Sequence, residues 1–187
     1  MNATKMRERE VVALIRAKYC KDHGNGPAAV LLPQVRNAAG FDATRTADAI
    51  VMNLWPSRGL HLEGFEVKCS RADVLKELRD PSKAEAFSRY CEKWWLVVAS
   101  ECLIKEEELP EPWGLLVVSG DGERRRLAVR KEAPVNYEAP KVLPKSLLAA
   151  MMRQFARPDE EELRRRYQEG FDAGKCAAEM DAEMDAT

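Results

Sequence analysis

Glu66-Val67-Lys68 is the only acidic-x-lysine triplet in the 187 residues of the chain. In a strand, residues two apart leave the same face, so a carboxylate and an ammonium would stand side by side. A wet strand surface carries such a pair harmlessly, and an active site uses the same pair as an anionic ligand beside a cationic helper. Asp48 heads an upstream apolar run that should pair with the triplet's strand. An Asp at the mouth of one strand and a Glu on its neighbour can bring two carboxylates onto one divalent ion. Mg²⁺ favours such a site, with one or two carboxylates, several waters and phosphate oxygens from a substrate. Lys68, adjacent to the ligands but not one itself, could orient the attacking water or neutralise charge developing on phosphorus.

Several neighbours have a functional and a plain reading side by side. Ser70 and Asp73 form an S-x-x-D capping pair, which starts a helix immediately after Lys68. Arg71, in the first turn of that helix, could hold a phosphate or sit in an exposed salt bridge. Lys83, on the helical piece that follows, could face the same site. Arg124, Arg125, Arg126, Arg130 and Lys131 form a basic stretch that could track a DNA backbone or simply protect an edge strand. Trp94 and Trp95 belong to the core before any base-stacking role, and His23 and His61 have no partners at metal-ligand spacing.

The elements that must position these residues follow from periodicity and turn chemistry. Residues 5–19 read as a helix with an apolar stripe of Val11, Leu14, Ile15 and Tyr19. Residues 28–35 read as a strand, Asp48 to Met52 as a second and 60–68 as a third, returning after the turn at 56–59. Asp80-Pro81-Ser82 interrupts the helix that begins at Ser70, and the run "WWLVVA" at 94–99 reads as a strand covered on both faces. Residues 70–92 are long enough to cross between parallel neighbours. Residues 114–130 read as a hairpin. Helices alone follow Pro140, one amphipathic through Leu147, Leu148, Met151, Met152 and Phe155 and one spanning 158–171. The order predicts an α/β fold, a mixed central sheet flanked by helices, with a domain at 1–140 and a helical C-terminal extension at 141–187.

Composition narrows the classes. No apolar stretch approaches the roughly 18 residues of a membrane span. The charged, amphipathic N-terminus does not fit a secretory signal. Five cysteines at 20, 69, 91, 102 and 176 contain no C-x-x-C pair, which argues against a zinc cluster or a disulfide frame and for a reducing cytoplasm. Residues 159–187 carry a net charge of −6 and the remainder +5, so a modestly basic body precedes an acidic tail. Such a body is compatible with a polyanionic partner.

The segments "TADAIV", "FEVKCSRAD" and "SRYCEKWWLVV" resemble the PD-(D/E)xK nuclease-like superfamily and, more narrowly, the MmcB-like DNA-repair-associated proteins. The resemblance covers about residues 8–131 and is densest between 45 and 99. It implies a restriction-endonuclease-like core, a Mg²⁺ site for which Mn²⁺ can substitute, and action on DNA phosphodiesters. Carried over by position, it makes Asp48 and Glu66 metal ligands and Lys68 the catalytic lysine. Glu10, on the first helix, matches a carboxylate that many members add to the metal site. Ala47 stands where the family has a proline, and Lys83-Ala84 where it has lysine and tryptophan. The leading expectation is a metal-dependent DNA nuclease in repair, recombination or phage DNA metabolism. The alternative is a DNA- or protein-binding module that keeps the fold without turnover, with the C-terminal helices as a protein contact. If the resemblance holds, the carboxylates of Asp48 and Glu66 and the amine of Lys68 should converge within the reach of one metal site, on adjacent strands at one sheet edge.

Overall fold

The computed structural model describes residues 6–21, 27–38, 43–140, 142–156, 167–168 and 171, the side chains of Ser82 and Lys83 excepted. Six strands form one sheet in chain order: β1 (Ala29–Arg36), β2 (Thr46–Asn53), β3 (Leu62–Lys68), β4 (Lys93–Val98), β5 (Gly114–Ser119) and β6 (Arg126–Lys131). β1, β2 and β3 run as an antiparallel meander, β3, β4 and β5 are parallel, and β6 turns back antiparallel on β5. Four helices accompany the sheet: α1 (Glu8–Tyr19), α2 (Arg71–Arg79), α3 (Ser82–Ser88) and α4 (Lys145–Phe155). The fold is therefore the mixed α/β sheet expected, with helices at its faces and a helix at its C-terminal side. The helix expected at 158–171 falls outside the described residues except for Tyr167, Gln168 and Phe171, which are helical.

β4 shows why its sequence is apolar throughout. Trp94, Leu96 and Val98 point to one face, where they pack with Val74 of α2, Ala84 and Phe87 of α3, and Leu147 and Met151 of α4. Trp95 and Val97 point to the other, where they meet Val11 and Ile15 of α1. Alternate residues of one strand thus serve two separate cores, and a strand buried on both sides has no polar face to spare.

Two glycines make room for the tryptophans. Gly64 is the cross-strand partner of Trp94, and a Cβ there would lie 2.1 Å from the indole ring. Gly114, paired with Trp95, would meet that ring at 2.4 Å. The Trp95 indole N–H donates to Glu63 at 2.8 Å, so its polar edge is satisfied.

The chain divides into two compact units, Met1–Gln154 and Phe155–Thr187. Leu147 and Met151 of α4 belong to the core of the first, the unit that carries the site. Between β4 and β5 the chain makes only two short 3-10 turns, Glu101–Leu103 and Glu106–Glu108, where parallel neighbours more often have a helix between them.

Candidate functional site

Register places the key residues. Gln34 lies between the partners Pro33↔Ala49 and Val35↔Ala47, opposite Asp48. The β2–β3 pairing ends at Ala49↔Phe65, so one step further Asp48 stands opposite Glu66. Gln34, Asp48 and Glu66 thus form a row across three strands, with Lys68 two residues on along the same face of β3. The backbone ladder gives way to a side chain at this step. The Val67 N–H donates to Asp48 Oδ2 at 2.7 Å, which fixes the carboxylate between the strands and satisfies a donor that the ladder has abandoned. Gln34 holds a left-handed backbone, φ 50°. That conformation is strained for a residue with a side chain, and such strain collects at functional sites. Its amide donates to Glu8 Oε1 at 2.5 Å and to Asp48 Oδ1 at 3.5 Å.

The lysine lies between two carboxylates. Lys68 Nζ is 2.5 Å from Glu66 Oε1 and 3.2 Å from Glu77 Oε2, on α2. Glu77 is the buried charged residue of the described chain, 8% exposed. The local fold explains its arrival. Ser70, two residues after Lys68, accepts the Asp73 N–H at 3.2 Å as an N-cap, so α2 starts at Arg71 and its second turn lies alongside the lysine.

The electrostatics follow from crowding carboxylates in a half-buried place. Burial pushes the Glu66 carboxyl up to about 8, with Asp48 adding to it and Lys68 opposing. Burial also raises Asp48, against the pull of the Val67 amide and Lys68. Glu8 is raised by burial and then by Asp48. Burial works against the charge on Lys68, but Glu66, Asp48 and Glu77 together outweigh it and hold the amine above its ordinary range. Carboxylates outnumber the lysine, so the cluster keeps a proton that isolated carboxyls would have lost by neutral pH. A divalent cation would relieve the same repulsion.

A cavity of about 880 Å³ opens over this cluster, lined by Glu8, Arg45, Asp48, Lys68, Lys76 and Glu77 among others. Glu66 borders a smaller one of about 240 Å³, which shares Arg45 and Glu77 with the first. Trp94 lines that smaller cavity, and its indole N–H is the one buried side-chain donor without a partner among the described residues. Among those residues, no three His, Cys, Asp or Glu side chains are gathered as a ready-made metal cage. Two facing carboxylates beside open space nonetheless fit Mg²⁺, which keeps most of its waters and takes few protein ligands.

The structure brings Asp48, Glu66 and Lys68 together and sorts the other expectations. Glu10 is not part of the cluster. Its carboxylate reaches back to the Arg7 N–H at 2.6 Å as a helix cap, and Glu8 lines the cavity instead. Arg71 is not free to take a phosphate. Its guanidinium forms a two-point pair with Glu108, at 2.7 and 2.5 Å, and donates to the Leu103 carbonyl at 2.9 Å. That pairing holds Glu108 down to about 2. Lys83 lies on α3 with its side chain outside the described residues. Arg45 and Lys76 are the cations that line the cavity besides Arg7 and Lys68.

Glu8, Glu77 and Gln34 were not foreseen, although two of them carried a signal. Glu8 precedes Val11 by three residues and Ile15 by seven, so it extends the buried stripe of α1. Glu77 follows the buried Val74 by three on α2 in the same way. A carboxylate inside an apolar stripe needs a partner, and that requirement points to a site. Gln34 gave no such sign.

No family model and no curated protein matches the chain. A solved structure of a protein of unknown function from Silicibacter pomeroyi is similar, at a TM-score of 0.50 and 20% identity over 93% of this chain and 96% of that one. This likeness shows the fold.

Proposed function

We propose that the protein is a metal-dependent nuclease that hydrolyses DNA phosphodiesters at the Asp48–Glu66–Lys68 cluster. The observation that carries the reading is the convergence of Asp48 on β2 and Glu66 on β3 around Lys68, which lines a polar cavity together with Asp48. Asp48 and Glu66 would hold Mg²⁺ or Mn²⁺, and Glu8 lies close enough to add negative charge. When bound, the ion supplies charge neutralisation at the phosphate and a more acidic water. Lys68, held at the wall of the cavity, offers N–H donors to an attacking water or to a phosphate oxygen as charge builds there. Lys76 and Arg45 line the same cavity and suit the flanking phosphates of a nucleic acid strand. Asp48 orients through the Val67 amide, so its carboxylate needs no substrate to be in place.

The test is incubation with single-stranded, duplex and branched DNA in Mg²⁺, Mn²⁺ or EDTA. Cleavage should require the metal and vanish in Lys68→Ala, which should still bind both DNA and Mg²⁺. Asp48→Ala should lose the metal, because one carboxylate with water seldom holds Mg²⁺. A wild type that binds DNA and cuts none of these substrates, with Lys68→Ala indistinguishable from it, replaces the nuclease with a binding module.

A further inference from the structure

We infer that Glu77 is a positioning residue that keeps Lys68 at the site when Glu66 turns to a cation, an inference that rests on the metal-dependent reading above. The side chain of Lys68 is 15% exposed, and its amine has two carboxylate partners, Glu66 on its own strand and Glu77 on α2. A buried charge that loses its partner is strongly disfavoured and swings out to water if it can. Mg²⁺ binding makes that loss specific. Glu66 holds Lys68 through Oε1, so a cation that takes this oxygen removes the lysine's partner on β3 and also repels the ammonium.

Glu77 has the placement that the second partner needs. It belongs to a separate element, anchored by Ser70 at its cap and by Val74 in the core, so its position does not depend on how Glu66 turns. Its carboxylate is 10% exposed and lines both cavities, beside Asp48 and Lys68 in one and beside Glu66 in the other. As Glu66 is handed over, the amine keeps an acceptor on the α2 side and stays at the cavity wall. The inference predicts a lysine held from behind by the helix, with its remaining N–H groups free for water or phosphate.

The experiment observes the lysine directly. Full-length protein labelled uniformly with ¹⁵N is recorded by ammonium-selective and amide-detected NMR, with and without saturating Mg²⁺, and Lys68→Arg identifies the Lys68 signal. A held ammonium exchanges slowly enough to be seen. In the wild type the signal should be present in both conditions. In Glu77→Ala it should be present without Mg²⁺, when Glu66 still holds it, and lost with Mg²⁺. Glu77→Gln should keep it, because the amide oxygen still accepts, and this near-isosteric variant keeps the test readable if Glu77→Ala does not fold. In cleavage assays kcat should fall by about 10²-fold in Glu77→Ala with KM little changed, the scale of misplacing one catalytic group, and Glu77→Gln should recover most of it. A wild-type signal that disappears with Mg²⁺, or a Glu77→Ala signal that survives it, overturns the inference and leaves the nuclease reading standing. The absence of any Mg²⁺-induced shift at the Val67 and Asp48 amides overturns both.

Discussion

The Asp48 carboxylate accepts the Val67 N–H at 2.7 Å, so a side chain takes over where the β2–β3 backbone ladder stops. One carboxylate oxygen is thereby committed to the fold, while the other accepts only a long bond from Gln34, at 3.5 Å. Asp48→Ala should expose the Val67 amide to faster hydrogen exchange than its neighbours in β3. Its net cost in stability should be small, within about 1 kcal/mol, because losing the hydrogen bond is offset by removing a carboxylate that repels Glu66. Urea unfolding with amide exchange on the same samples checks both parts.

The raised Glu66 carboxyl gives a pH dependence with a definite sign. Its folded value of about 8 lies above the ordinary 4.5, so the folded protein binds the proton more tightly than the unfolded chain. This contribution is fully present below about pH 4.5 and is lost as pH rises through about 8. Metal-free protein should therefore lose stability steadily between pH 5 and 9, and Glu66→Gln should flatten that slope. Saturating Mg²⁺ should flatten it too, because the cation takes the place of the proton. Chemical denaturation across this pH range, with EDTA or Mg²⁺, reads all three curves.

Glu8 and Glu10 separate a site role from a cap. Glu10→Ala removes the acceptor for the Arg7 N–H and should cost about 0.5–2 kcal/mol, the usual range for a lost helix cap, with Mg²⁺ affinity unchanged. Glu8→Ala, which lies near Asp48 and lines the cavity, should weaken Mg²⁺ binding with little effect on α1. Titration calorimetry of both variants decides it, and equal affinities would remove Glu8 from the site.

Gly64 is the place where the sheet tolerates least. A Cβ there would lie 2.1 Å from the ring of the buried Trp94, which Phe87 stacks beside at 6.4 Å. Gly64→Ala should destabilise by about 1–3 kcal/mol, the range for an overpacked core, and should shift tryptophan emission. A variant as stable as the wild type would show that the α3 side of the sheet yields easily.

Patterns within single elements were legible in the sequence because local chemistry decides them. The apolar run of β2, the Ser70 cap and the break at Asp80-Pro81 each depend on residues a few positions apart, and each stands where it was read. The fold class followed, since a fully apolar β4 after a long helical crossover suits a sheet covered on both faces. That Asp48 and Glu66 lie on neighbouring strands was legible too, because one turn joins the two runs, but their register was not, because the segment between the strands is long.

What the sequence did not decide is where separate elements meet. Glu8 lies on the stripe of Val11 and Ile15 and Glu10 does not, but only the docking of α1 through those two residues brings Glu8 to the cavity, while Glu10 caps the helix. Arg71 stands in the first turn of α2 as expected, but its fate is set by Glu108, thirty-seven residues later on a 3-10 turn that no periodicity announces. Glu77 becomes a partner of Lys68 only because α2 folds back along β3. Side-chain type and spacing determined which groups this chain has available for chemistry. Packing between elements distant in sequence determined which of those groups share one place, because the apolar surface buried by docking greatly outweighs any single charged contact.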